Sequence, residues 1–235
     1  MLTRIAKADS AQPLSEQATA LLSGTEMPKL GMESIRRKEL IKATTAVMHE
    51  SGLSEPTLAA ICARAGLSSS SIVNHYFKSK QELLECTMHE LAAGFLGEIS
   101  LRVSAAKSPI DKVRAVIDAN FAPSQCTPEA VSAWLWFWGR VPTNEAFAAI
   151  ELAADTHIIG ELKRALQEIV PREDVDDVAE GVMALMYGFW LRFALDPKKI
   201  DVETARRITQ DAVVSKLIVY GQNSGAAIPA NSRAD

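Results

Sequence analysis

The chain has 235 residues, 48% of them hydrophobic and 23% charged, which is ordinary for a soluble globular protein. Its net charge of −4 is unevenly spread, because residues 27–80 carry a net +4 and residues 81–235 carry −7. A basic N-terminal region followed by an acidic remainder suits a protein that contacts phosphates at one end only. The three scattered cysteines argue against a disulfide framework or a zinc site and favour a reducing, cytoplasmic setting. We expect no membrane partner, since the longest apolar run, 181–191, is shorter than the ~20 residues that cross a bilayer.

The first three predicted helices are short and lie within residues 27–80. The first is predicted over Ser34–Ser51 and ends at Gly52, because its apolar residues recur at helical spacing. The second starts at Thr57, a plausible N-cap, and ends at Gly66. A third begins in the serine run 68–71 and continues through His75.

A helix, a glycine-containing turn and a second short helix are typical of a helix-turn-helix DNA-binding motif. In the last of these helices Ile72 and Val73 are the predicted apolar anchors, so that the polar residues face the major groove. Serine hydroxyls at a helix start can bind phosphate together with the free backbone amides. The alternative is that the serines only cap the helix and that Tyr76 belongs to the core.

Six further helices are predicted after residue 78, and no strand, since no period-two alternation is sustained. The first of them runs from residue 79 to shortly before Pro109, and the second spans 109–121. A Trp-rich helix starts at residue 129 and is interrupted at Pro142. The last three span about 145–170, 173–195 and 201–220. The ends, 1–26 and 221–235, are rich in small and polar residues and are predicted to be poorly ordered.

Aromatic residues concentrate in two of these later helices, around Trp134–Trp138 and Tyr187–Phe193. Trp134 and Trp138 share a helix face and Phe137 lies beside them, whereas Trp136 points elsewhere. Such clusters are usually core, but they can also form a cage that holds a quaternary ammonium cation by cation–π attraction.

A cationic ligand also needs a counter-charge, and three acids lie on helices near the aromatic clusters. They are Asp118, Glu151 and Asp155, each of which can equally be a solvated surface acid; Asp155 is the first choice. The histidines have no partners at metal-binding spacing, so no metal or other cofactor is expected. No nucleotide-binding, metalloprotease or hydrolase motif occurs, which argues against an enzyme.

Residues 57–68 (TLAAICARAGLS) and 75–84 (HYFKSKQELL) resemble the DNA-binding motif of the TetR family. The resemblance implies an all-α fold with a three-helix DNA-binding domain over 27–80 and a helical ligand-binding and dimerisation domain over 81–220. It implies that Thr57 and Ser68 contact phosphate, that Asn74, His75 and Tyr76 lie on the recognition face, and that Lys80 clamps the DNA backbone. Arg36, Ser69, Ser70 and Ser71 are further candidates for DNA contact.

Residues 27–37 (MPKLGMESIRR), 133–138 (AWLWFW) and 188–194 (GFWLRFA) resemble, within that family, the choline-responsive repressors of the BetI type. The resemblance implies a homodimer that binds operator DNA, represses glycine betaine synthesis genes and is released by choline. The implied ligand site consists of Trp134, Phe137, Trp138, Asp155, Tyr187 and Trp190. A lipophilic or acyl ligand is the alternative within the same family.

We expect the last two helices to form the dimer interface, as they do in this family. Two apolar stripes are predicted to face the partner. They consist of Val178, Val182, Leu185 and Phe189 in one helix and of Ile208, Val213, Val214, Leu217 and Ile218 in the other.

Overall fold

A computed structural model describes residues 32–196 and 198–224, and within them it contains nine α-helices and no strand. The helices are α1 (Met32–Ser51), α2 (Leu58–Arg64), α3 (Val73–Tyr76), α4 (Lys80–Ala105), α5 (Pro109–Asn120), α6 (Pro128–Trp138), α7 (Glu145–Leu166), α8 (Val175–Leu195) and α9 (Val202–Ser224). The predicted all-α class is thus confirmed. Helix α9 runs past its predicted end at Tyr220, while residues 1–26 and 225–235, predicted to be poorly ordered, lie outside the described part.

Helix boundaries follow the local capping chemistry of the sequence. The hydroxyls of Thr57, Ser79, Ser108 and Thr127 each accept a hydrogen bond from the backbone amide three residues later, and so satisfy an otherwise unpaired donor. Gly66 has φ +68°, a left-handed conformation that favours glycine, and it turns the chain between α2 and the serine run.

The apolar side chains form two clusters. A small one joins α1, α2 and α3 to the start of α4 and includes Leu40, Ile61, Val73 and Phe77. A larger one fills the space among α4 to α9. Helix α4 contributes Leu83 to the first cluster and Leu84 to the second, so it belongs to both. The predicted domain boundary at residue 80 stays a prediction.

The prediction that the stripes on α8 and α9 face a partner is largely wrong. Six of the nine residues are buried in the chain's own core: Val178, Val182, Phe189, Val213, Val214 and Leu217. The physical reason is that each helix has one strongly apolar stripe, and the chain uses it internally. The outer surface of α8 carries instead Gly181, Ala184, Leu185, Gly188, Leu191 and Leu195, and that of α9 carries Ile208, Ala212, Ser215, Ile218 and Val219.

The segment Arg172–Leu195 has the length and composition of a membrane-spanning helix, although 44% of its most apolar window is buried inside the fold. A buried inner half is what a core helix of a globular protein shows.

Candidate functional site

The helix-turn-helix segment places its polar residues outward and its apolar residues inward. Asn74 and His75 are exposed on α3, whereas Val73 and Phe77 are 0% and 1% exposed and anchor that helix from behind. The serines 68–71 are all exposed and lead into α3 through a 3-10 turn, Ser70–Ile72. The exposed polar surface of α3 therefore has the polarity that a major groove requires.

Ser69 caps the 3-10 turn that leads into α3, and DNA contact by the serine run stays a prediction. The Ser69 hydroxyl accepts from the Ser71 amide at 3.2 Å and lies 2.8 Å from the Ser71 hydroxyl. Thr57, exposed at the start of α2, accepts from the Ala60 amide at 3.2 Å. Tyr76 is half-buried against the small core and contacts the His75 ring edge-to-face.

The basic residues near this surface are not equivalent. Arg36 pairs with Glu39 one turn later on α1, at 2.7 Å, and stays partly exposed. Arg37 turns inward, because its guanidinium donates to the Tyr76 carbonyl oxygen and stacks 4.2 Å from the Phe77 ring centroid. Arg37 is half-buried and thus holds the end of α3 in place.

Lys80 lies at the start of α4, and its ammonium group pairs with Glu55 in the turn before α2. This contact is the main reason that the pKa of Glu55 is lowered. Any phosphate contact by Lys80 must therefore compete with a carboxylate of the same chain.

The second group of predicted residues lines an aromatic cavity between α6, α7 and α8. Trp134 and Trp138 on α6 meet Trp190 on α8 nearly edge-to-face, with ring centroids 6.4 and 6.0 Å apart. Tyr187 closes the side next to Trp138 at 5.1 Å. The aromatic box, as we call these four residues, therefore presents ring faces in several directions around a small space.

The cavity is small, and Trp138, Glu151 and Tyr187 in its wall are partly exposed. Its volume is about 30 Å³ for the centre of a water-sized sphere, room for about two water molecules. Apart from the aromatic box, the lining consists of Phe95, Asn120, Glu151, Ala154, Ile158, Met183 and Met186. The Trp190 indole N–H donates to the Asn120 amide oxygen at 3.0 Å, which fixes one wall.

Glu151 supplies the carboxylate of this cavity. Tyr187 donates its hydroxyl to one carboxylate oxygen at 2.8 Å, and Trp138 donates its indole N–H to the other at 3.1 Å. Burial raises the pKa of Glu151, and the two donors oppose that rise because they stabilise the charged form. The cavity thus holds an acid whose two oxygens are oriented by residues of the aromatic box.

Two predicted ligand residues do not line the cavity. Phe137 is fully buried behind it, against Trp134 and Phe147 at centroid distances of 5.6 and 5.3 Å. Asp155 lies beside Tyr187 outside the lining, and burial, followed by the charge of Glu180, raises its pKa. The third candidate acid, Asp118, instead accepts a hydrogen bond from Arg206 of α9 at 2.9 Å.

Most of the chain is similar to known proteins. Residues 40–86 match the tetR family of bacterial regulatory proteins, and residues 109–217 match the C-terminal domain of the BetI-type transcriptional repressors. The HTH-type transcriptional regulator BetI of Vibrio vulnificus is 35% identical over 198 residues, which is 83% of this chain and 100% of that protein. The chain belongs to the BetI-type repressors of the TetR family. It is accordingly a transcriptional regulator, and its relatives are not enzymes.

Solved structures share the repressor's fold. A transcriptional regulator of Pseudomonas aeruginosa PAO1 superposes with a TM-score of 0.69 at 24% identity, covering 83% of this chain and 96% of the other. A regulator from Saccharomonospora viridis, solved in complex with choline, superposes with a TM-score of 0.68 at 15% identity, covering 77% and 96%. At these identities the likeness shows the fold alone.

Sequence reasoning chose Asp155 as counter-charge, yet the acid that lines the repressor's cavity is Glu151. A signal for it exists in the sequence. Glu151 stands on the same face of α7 as Phe147, Ala154 and Ile158, which are buried, so it is an acid inside an apolar stripe. Asn120 and Phe95 carried no comparable signal, because they reach the cavity from helices that only the tertiary fold brings together.

Proposed function

We propose that this repressor binds operator DNA as a homodimer and releases it when choline, or a closely similar quaternary ammonium compound, occupies the aromatic cavity. The genes controlled would be those of glycine betaine synthesis. The observation that carries the proposal is Glu151, a carboxylate held by Tyr187 and Trp138 in the wall of a box made of three tryptophans and a tyrosine. The names of the BetI relatives and the choline-bound structural neighbour support it.

The chemistry of the cavity favours a cation over a neutral ligand. Each aromatic face contributes about 0.5–2 kcal/mol to a desolvated cation, and the Glu151 carboxylate adds Coulomb attraction. A neutral lipophilic or acyl ligand would instead remove that carboxylate from water without a compensating charge. Such a ligand therefore remains only the second candidate.

The contacts within the aromatic box link binding to a change of shape. The ring centroids of Trp138 and Tyr187 are 5.1 Å apart and both residues donate to Glu151, so a cation that enters between these rings and the carboxylate must separate them. The ligand then prefers a conformer that differs from the one described. A difference in affinity between two conformers is the requirement for any effector that changes DNA binding.

The proposed binding of operator DNA depends on α3. We propose that the serines 68–71, Asn74 and His75 face the major groove, while Thr57 and Lys80 contact phosphates on either side. Arg36 can join them from α1. Two such surfaces related by a two-fold axis would read a pseudo-palindromic operator.

The homodimer would form through the outer faces of α8 and α9. Gly181, Ala184 and Gly188 make a strip of small residues on α8, flanked by the exposed side chains of Leu185 and Leu191. Small residues let a second copy approach closely, and the flanking leucines provide apolar area to bury. A self-complementary contact of this kind is the ordinary route to a two-fold dimer.

Titration calorimetry with a matched pair of ligands tests the proposed effector. Choline should bind, and 3,3-dimethylbutan-1-ol, its neutral carbon isostere, should bind at least tenfold more weakly. In a gel shift with the DNA upstream of the chain's own gene, choline should weaken the complex. Equal binding of the two isosteres would contradict the cation site and favour a general apolar pocket.

A further inference from the structure

Helix α6 faces the cavity on one side and the DNA-binding helices on the other. Trp134 and Trp138 line the cavity, whereas Trp136, between them in sequence, points away from it and is 1% exposed. The Trp136 indole N–H donates to the backbone carbonyl oxygen of Ser54 at 3.1 Å. Because Ser54 lies in the turn between α1 and α2, a single helix contacts both sites.

Arg140, one turn after Trp136, strengthens the same contact. Its guanidinium donates to the carbonyl oxygen of Leu53 at 3.1 Å and to that of Trp136 at 2.9 Å. The guanidinium carbon also lies 3.8 Å from the Trp136 ring centroid, in cation–π geometry. Trp136 and Arg140 thus bind two consecutive carbonyl groups of one turn; we call this pair the α6 clamp.

In the turn held by the α6 clamp Pro56 is buried, whereas residues 52–55 are all exposed. The turn starts at Gly52, whose φ is +60°, and the Leu53 side chain is 67% exposed. On its other side Glu55 pairs with Lys80 at the start of α4. Thr57, the N-cap of α2, follows only two residues after Glu55. The start of the helix-turn-helix motif is therefore fixed between the end of α6 and the start of α4.

We propose that Trp136 and Arg140 are positioning residues that couple the aromatic cavity to the helix-turn-helix motif, a step that rests on the proposed function. A cation that enters the cavity packs against the rings of Trp134 and Trp138, both of which line it, and so changes the position that these side chains take. Those side chains share α6 with the clamp, so a displacement of the helix moves the donors that hold Leu53 and Ser54. The start of α2 then shifts, and the two copies of α3 in a dimer lose the spacing that an operator requires.

Two substitutions separate coupling from binding. Trp136→Phe keeps a large ring but removes the donor to Ser54, and Arg140→Gln removes the charge and the paired donors. Arg102→Gln is the matched control, since Arg102 pairs with Glu98 on α4, away from the turn.

Choline affinity measured by calorimetry should stay within about threefold of wild type, because neither clamp residue lines the cavity. The ratio of operator dissociation constants with and without saturating choline should fall at least tenfold in both clamp variants and remain unchanged in the control.

If both clamp variants kept the wild-type ratio of operator dissociation constants with and without choline, the proposal would be overturned.

A second measurement needs no ligand. Amide hydrogen exchange over residues 52–58 should be at least tenfold faster in Trp136→Phe and Arg140→Gln than in wild type and Arg102→Gln. If choline fails to bind the wild type, the proposed effector is wrong while the exchange experiment still decides the clamp. Exchange rates equal to wild type would show that these residues do not position the turn.

Discussion

The proposed DNA-binding surface and the aromatic cavity of this repressor are built on opposite principles. The first consists of exposed polar residues from one continuous stretch, 57–80, supported by a small core. The second consists of buried and half-buried side chains from α4, α5, α6, α7 and α8 that pack against the larger core. An exposed face can change its residues with little loss of fold, whereas a cavity wall also carries the packing of its neighbours.

Because the two sites share no residues, their functions should separate under mutation. Residues of the DNA-binding surface should alter operator affinity and leave choline affinity unchanged, and residues of the cavity should do the reverse. Only the dimer interface and the α6 clamp should affect how one site depends on the other.

Leu191→Glu on the outer face of α8 should abolish dimerisation, because it places a charge in the proposed apolar contact. Loss of the second half-site contact should then weaken operator binding by about 10²–10⁴-fold. Leu101→Glu is the matched control, since Leu101 is 67% exposed on α4. Sedimentation at micromolar concentration checks the first effect and a gel shift the second. A Leu191→Glu protein that stays dimeric would show that α8 is not the interface.

Trp138→Ala should weaken choline binding by about 10–30-fold and leave operator affinity intact. The substitution removes one cation–π face, worth roughly 1–2 kcal/mol, together with the indole donor to Glu151. On the same preparation, calorimetry measures the affinity for choline and a gel shift measures the affinity for the operator. Loss of both activities would contradict the separation, unless circular dichroism showed that the variant had unfolded.

Glu151 should make choline binding depend on pH. Burial raises its pKa, so the carboxylate takes up a proton at higher pH than an exposed glutamate does, and affinity should fall as pH decreases through that raised value. Choline carries a permanent charge, and the dependence therefore belongs to the protein.

Glu151→Gln should bind choline about tenfold more weakly at neutral pH and lose most of this dependence. Asp155→Asn is the control, because the pKa of Asp155 is also raised and its side chain lies outside the lining. Calorimetric titrations at several pH values check both variants. If Asp155→Asn, and not Glu151→Gln, removed the dependence, the counter-charge would be the one chosen from the sequence.

The same contrast explains what the sequence could predict. The helix-turn-helix residues form a local motif, so spacing and capping chemistry predict Thr57, the serine run and the anchor Val73, although Phe77 is buried in place of the second predicted anchor, Ile72, which is only half-buried. The cavity depends on which helix faces meet, and this is why Phe137 and Asp155 were chosen although Glu151 and Asn120 line it. Helix α8 shows the same limit: its apolar stripe was visible, but periodicity cannot tell a chain's own core from a partner.

The smallest effect we predict concerns Lys80, and it tests whether the exposed surface meets phosphates at all. Lys80→Ala should weaken binding to every DNA sequence by a similar factor, about three- to tenfold, and reduce the slope of log affinity against log salt by about one. Asn74→Ala should instead change sequence preference with the slope unchanged, because a base contact displaces no counterion. Lys107 is an exposed lysine beyond the end of α4, and Lys107→Ala should change neither the DNA affinity nor the sequence preference.

Since Glu55 pairs with Lys80, Glu55→Gln should free the Lys80 ammonium group and raise the affinity for DNA slightly. A Lys80→Ala protein with unchanged affinity and salt slope would mean that this lysine only holds the α1–α2 turn, and that the phosphate contacts come from elsewhere on the surface.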